Sequence, residues 1–261
     1  MFRRRVISRY PAGVPTALPP LLAVSAGVLG LLVGWAMTAM VDVAAPVDRS
    51  ARGRGGTAAR SSVVAVVTGM AFAVVTWTAL TSPATLGVSS SEPLALALVA
   101  VAFLSFAAIS VALTAIDVGA HRLPNRIVLP SFAVAGVLFA IAAGVQREWD
   151  SLLRAAIGMT VLYTFYFVLR LVGRGGMGGG DVKLAGVIGI HLGWVGWGAL
   201  AVGASAAFLY GGLFGVALLL LRRAGRKTAI PFGPWMILGA WTGVFAGEAV
   251  WDWYLGFLTG S

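Results

Sequence analysis

The chain has 261 residues, 59% of them apolar and only 11% charged, with 19 basic against 9 acidic side chains and no cysteine. Soluble domains carry about 25% charged residues, so this composition points to a bilayer protein with no segment outside the membrane long enough to bury a core of its own. The lack of cysteine excludes disulfides, thiolate metal sites and cysteine nucleophiles, and the net charge of +10 lies mostly in short stretches between apolar runs, where it reads as topogenic charge facing anionic lipid and not as a nucleic-acid surface.

A hydrocarbon core of about 30 Å takes a helix of about 20 apolar residues to cross. In chain order, spans are predicted at 17–40, 62–81, 94–116, 127–145, 152–172, 182–197, 198–221 and 230–251. The expected fold is therefore all-α: a polytopic membrane protein of about eight transmembrane helices. The first run is too long for the core of a signal peptide and is read as a retained span. The stretch 41–61 is polar and rich in Gly and Ala, which predicts a flexible loop. Gly189-x-x-x-Gly193 and Gly211-x-x-x-Gly215 have the spacing that lets helices pack closely. His191 reads as a packing residue, and Trp194, Trp197, Trp235, Trp241, Trp251 and Trp253 read as an aromatic belt near span ends.

Positive charge marks the cytoplasmic side. Arg49, Arg52, Arg54 and Arg60, then Arg122 and Arg126, then Arg170, Arg174 and Lys183, and finally Arg222, Arg223, Arg226 and Lys227 fall in alternate loops or beside them. The intervening loops are poorer, with none at 82–93 and only Arg147 and Arg154 around 146–154. This pattern places the loops that carry Asp117 and Asp181 on one cytoplasmic face. Arg3, Arg4, Arg5 and Arg9 run against it, because eight spans put the N-terminus outside.

Of the nine acidic residues, Asp117 and Asp181 stand out, since each abuts an apolar run on that face. Asp117 closes the third span, where a carboxylate meets the unfavourable end of the helix dipole. Pro124 then limits the helix, and Leu123-Pro124-Asn125 reads as a turn into the fourth span. The plain structural reading pairs Asp117 with His121 or Arg122. Asp181 follows six glycines in the eight residues 173–180. Its plain reading is a helix N-cap; the functional reading is that the glycines admit an extended substrate backbone beside the carboxylate. Two nearby carboxylates can hydrolyse a peptide bond without metal or cofactor, one ionised and activating water, the other protonated and polarising the carbonyl. Glu248 and Asp252, at the far end of the last span, carry no such signal.

Asp117-x5-Leu123-Pro124-Asn125, Gly178-Gly179-Gly180-Asp181-Val182-Lys183-Leu184 and Ile230-Pro231-Phe232-Gly233-Pro234 together resemble, in order, the motifs of the prepilin peptidases, or type IV leader peptidases, which are GxGD-type intramembrane aspartyl proteases. The resemblance implies cytoplasmic-face cleavage of the basic leader of pilin-like precursors, typically after a glycine, by a multi-pass protein of the cell membrane. It implies Asp117 and Asp181 as the catalytic pair, and Gly178, Gly180, Lys183, Pro124 and Asn125 as motif residues of the substrate region, with no metal or other cofactor. It divides the chain into N-terminal spans at 1–90 and a peptidase membrane domain at 91–261. Many bacterial members of that family also carry a zinc-holding domain with paired cysteines between the first two spans and N-methylate the mature pilin; here only the loop 41–61 stands there, so methyl transfer is not expected. The alternatives are a non-catalytic membrane protein, such as a transporter or assembly factor, or a related protease for other leader-bearing substrates. Transport favours ionisable residues at the bilayer midplane, whereas these carboxylates lie at its edge.

Overall fold

The computed structural model describes residues 18–44, 54–89, 92–173, 177–221 and 231–259. Among them are eight α-helices and no strand: α1 Leu18–Ala44, α2 Arg54–Thr81, α3 Pro93–Ala120, α4 Asn125–Gln146, α5 Trp149–Val172, α6 Gly179–Val195, α7 Trp197–Leu220 and α8 Gly233–Thr259. Each predicted span meets one helix. Six of the eight (α1 to α5 and α7) are long and apolar enough to cross a membrane; α6, with 17 residues, and α8 are not among them. The chain has the make-up of a multi-pass membrane protein.

Several boundaries differ from expectation, each for a local reason. Arg54 to Ser61 are helical, so the part of the 41–61 loop that precedes the second span is an extension of α2, and Val41 to Ala44 extend α1. Pro93 at the first helical position starts α3, in keeping with its fixed φ and missing N–H. That helix runs past Asp117 to Ala120, and His121 stops it in the left-handed conformation (φ 51°) with its N–H bonded to the Asp117 carbonyl at 2.8 Å. Pro124 is the N-cap of α4, its carbonyl accepting from Ile127 and Val128 N–H.

The helices pair most closely as α1 with α2, α5 with α6, and α7 with α8. Between α5 and α6 the backbones nearly touch: a methyl group on Gly189 would run into Gly158, and one on Gly193 into Arg154 and Ala155. The Gly189/Gly193 spacing is thus a helix-packing surface. Gly211 is different; a methyl there would meet the Phe232 ring that leads into α8.

The centre of the bundle is aromatic. Phe106 stacks on His191 (centroids 4.3 Å apart) and Phe139 on Trp194 (4.5 Å), tying α3 and α4 to α6. His191 is a packing residue as expected, buried, with Nδ1 bonded to the Val187 carbonyl at 2.8 Å. Trp194 is fully buried in this stack and is not part of a membrane-interface belt; Trp197 and Trp253 are exposed. The connection from α6 to α7 is the single residue Gly196. Arg154 closes the end of α6 by donating to the Gly193 and Trp194 carbonyls (2.7 and 2.8 Å), and Glu248 opens α7 by accepting from Ala199 N–H (3.0 Å). A side chain at position 196 would displace the Glu248 carboxylate.

Candidate active site

Asp117 lies in the last turn of α3 and is 5% exposed. A carboxylate there opposes the dipole of its own helix, and the compensation comes from another element. The N-terminus of α8 abuts it, and Gly233 N–H donates to Asp117 Oδ2 at 3.0 Å. A methyl group on Gly233 would lie 2.7 Å from that oxygen, so glycine is what lets α8 come so close. The segment 230–234, which carried no assigned role in the sequence, thus supplies the donor to Asp117; Ile230 lies outside the described residues.

Asp181 is not the N-cap of α6. Gly178 occupies that position, and Asp181 stands in the first turn, where Oδ2 accepts from Gly178 N–H at 3.2 Å. This is the reach-back half of a capping box, favoured by the positive end of the dipole. Burial is the main influence on its carboxyl and the negative charge of Asp117 the next; together they push it up to about 6, against the opposing pull of the Gly178 N–H.

Two contacts bring the two motifs together. Gly180 faces Leu123 so closely that a methyl group would lie 2.6 Å from Leu123 Cβ. Lys183 Nζ donates to Asn125 Oδ1 at 2.7 Å. Pro124, between those two partners, begins α4. The two loops therefore share one end of the bundle. Ser89 with Gln146 and Glu148 marks the opposite end of α4, where Ser89 N–H and Oγ bond these side chains.

The described part of the glycine run is half-buried to exposed. Gly178 faces the Asp181 carboxylate, Gly179 the Arg170 guanidinium, and Gly180 Leu123. At 179 and 180 the glycines make room for the protein's own groups. Arg174, Gly175 and Gly176, like most of the charged-loop residues, lie outside the described residues. A groove of about 1110 Å³ runs between α2 and α8 along α3, with Val67, Val74, Thr114, Trp241 and Phe245 among its walls. It ends at Val118 and Gly119, in the turn of α3 that carries Asp117.

Residues 103–220 match the model of the type IV leader peptidase family. Similar proteins include the prepilin leader peptidase/N-methyltransferase of Aeromonas salmonicida, 36% identical over 146 residues (56% of this chain and 49% of the relative). That of Pseudomonas aeruginosa is 33% identical over 149 residues (56% and 49%), and that of Bacillus subtilis 31% identical over 156 residues (60% and 58%). The chain spans about half the length of these curated relatives. No solved structure matches.

The matched segment holds Asp117, the Leu123–Asn125 turn, the Gly178–Lys183 motif, Arg154 and Tyr166, whereas Gly233 and Glu248 lie beyond it. Glu248 escapes sequence reasoning because its partner, the start of α7, is 49 residues away. Its only signal is that it is one of two carboxylates, with Asp252, in a strongly apolar helix.

Proposed function

We propose that this chain is a membrane-embedded aspartic endopeptidase that removes the basic leader from prepilin-like precursors at the cytoplasmic face of the cell membrane. The observation that carries the reading is the meeting of a buried and a half-buried carboxylate from separate motifs at one end of the bundle, each with one oxygen held by a backbone N–H. The family matched by residues 103–220 and the names of the similar proteins supply the substrate class. Arg122, Arg126, Arg170 and Lys183 cluster at that end and support its cytoplasmic orientation. The apolar groove along α3 offers the hydrophobic stretch of such a precursor a path to Asp117.

Close carboxylates disfavour double ionisation, so Asp117 and Asp181 hold one proton between them. The ionised member takes a proton from water as the water oxygen bonds to the scissile carbonyl carbon. The protonated member gives its proton to the carbonyl oxygen, and the result is a tetrahedral diol. Collapse re-forms the carbonyl, breaks the C–N bond and passes a proton to the leaving amine, returning the pair to one shared proton. In this reading Gly178 and Gly233 hold the carboxylates, while Gly180, Pro124, Asn125 and Lys183 keep the two loops in register.

The test is cleavage of a prepilin-like precursor in membranes by the wild type, Asp117→Asn and Asp181→Asn. Each substitution is expected to abolish processing while the protein still accumulates. Processing within a few-fold of wild type in either variant would remove the reading.

A further inference from the structure

Tyr166 is a buried phenol that the mechanism above leaves unused. It is 2% exposed, and the contacts that hold it are made by its ring. Its ring is fixed by Phe208 (centroids 5.5 Å apart) and by Phe232 (6.3 Å), the residue before the Gly233 donor to Asp117.

The register of α5 against α6 sets its level. The helices run antiparallel with Gly158 against Gly189 and Ala155 against Gly193. Tyr163 follows against Gly186, where a methyl group would lie 3.3 Å from its ring. Eight residues along from Gly158 and eight back from Gly189 stand Tyr166 and Asp181, at one height in the bundle. The Asp181 charge acts on the phenol, yet no hydrogen bond joins them. Tyr166 thus stands beside the carboxylate pair with an unused O–H, held by packing that does not need the oxygen.

Both carboxylates already have a backbone donor, whereas the oxygen that gains charge in peptide hydrolysis has none from the backbone groups described so far. We propose that Tyr166 donates its phenolic hydrogen bond to the scissile carbonyl oxygen as the tetrahedral centre forms. This rests on the endopeptidase reading. No bond to Tyr166 is made or broken; its O–H stays intact and is aimed at charge that develops only in the transition state, where a fixed donor in a water-poor site is most effective.

Tyr166→Phe removes only the oxygen and keeps the ring against Phe208 and Phe232. With a leader peptide as substrate, kcat should fall on the order of 100-fold and KM should stay within about twofold, the pattern of a contact made in the transition state. An analogue of the same peptide with a hydroxyl-bearing tetrahedral carbon at the scissile position should lose affinity by a similar factor, while the uncleaved peptide should bind as before. Phe208→Leu loosens the same packing but keeps the hydroxyl; it should lower thermal stability without weakening the analogue selectively. A kcat within twofold of wild type for Tyr166→Phe, an equal loss for peptide and analogue, or failure of the variant to accumulate would overturn the inference. Asp181→Asn separates the two failures. Inactive Asp181→Asn beside a normal Tyr166→Phe sinks only the tyrosine assignment; active Asp181→Asn sinks the endopeptidase reading with it.

Discussion

Gly180 lies directly against Leu123, so that the first turn of α6 and the turn between α3 and α4 meet where a single methyl group would not fit. The Cα hydrogen of Gly180 is therefore part of what sets the spacing of Asp117 and Asp181. Gly180→Ala should destabilise the protein by about 1–3 kcal/mol through overpacking. It should also slow precursor cleavage on the order of 100-fold, since a misplacement of about 1 Å between catalytic groups suffices for that. The diagnostic is the double variant. Leu123→Gly vacates the colliding Cβ and should restore much of the activity lost in Gly180→Ala. A double variant as slow as the single one would mean that Gly180 matters for a reason other than Leu123.

The second expectation concerns the proton on Asp181. Its carboxyl titrates at about 6, so it holds its proton below that value and releases it above. Burial raises this value first and the Asp117 charge second. Asp117→Asn removes the charge and leaves the burial. The Asp181 midpoint should then move down while staying above the ordinary carboxylate value of about 4. Isotope-edited infrared titration of the carboxyl band in detergent reads this directly. A midpoint unchanged or higher in Asp117→Asn would show that the two carboxylates do not sense one another.

Lys183 and Asn125 form the outer tie between the same two loops, at 2.7 Å and in an exposed position. Exposed hydrogen bonds contribute little to stability, about 1 kcal/mol or less. Lys183→Met and Asn125→Ala should therefore leave the melting temperature nearly unchanged and reduce cleavage a few-fold each. Because they remove one interaction, the double variant should be no worse than the worse single one. Multiplying losses would mean that one of the two side chains has a separate task.

Topology can be read with thiol labelling, since the chain has no cysteine of its own. Arg122→Cys, in the turn next to the two carboxylates, should react with a membrane-impermeant reagent only from the cytoplasmic side. Asp150→Cys, at the start of α5 and the opposite end of the bundle, should react only from outside. Labelling of both positions from one side would contradict the antiparallel run of α3, α4 and α5 through the bilayer.

The fold class and both carboxylates are legible in the sequence because hydropathy alone fixes where helices lie. The ends of the helices are less so. Asp117 reads as a terminal residue when only its apolar neighbours are counted, yet α3 continues to Ala120 because His121 can adopt a left-handed backbone. Asp181 reads as a cap because glycines precede it, yet glycines at 179 and 180 are themselves helical once Leu123 and Arg170 pack on them. Contacts across long stretches of chain leave no local trace. Gly233 to Asp117 and Glu248 to Ala199 are of this kind, and so is the burial of Trp194, which by position alone sits at a span end.

At 1.5 Å per residue, the 17 residues of α6 extend about 26 Å, short of a hydrocarbon thickness of about 30 Å. Its far end is tied by Arg154 and by the one-residue connection into α7. The shortfall falls at the end that carries Asp181. Val182 and the residues from Leu184 to Trp194 are buried, so the neighbouring helices, and not lipid, enclose α6 along most of its length.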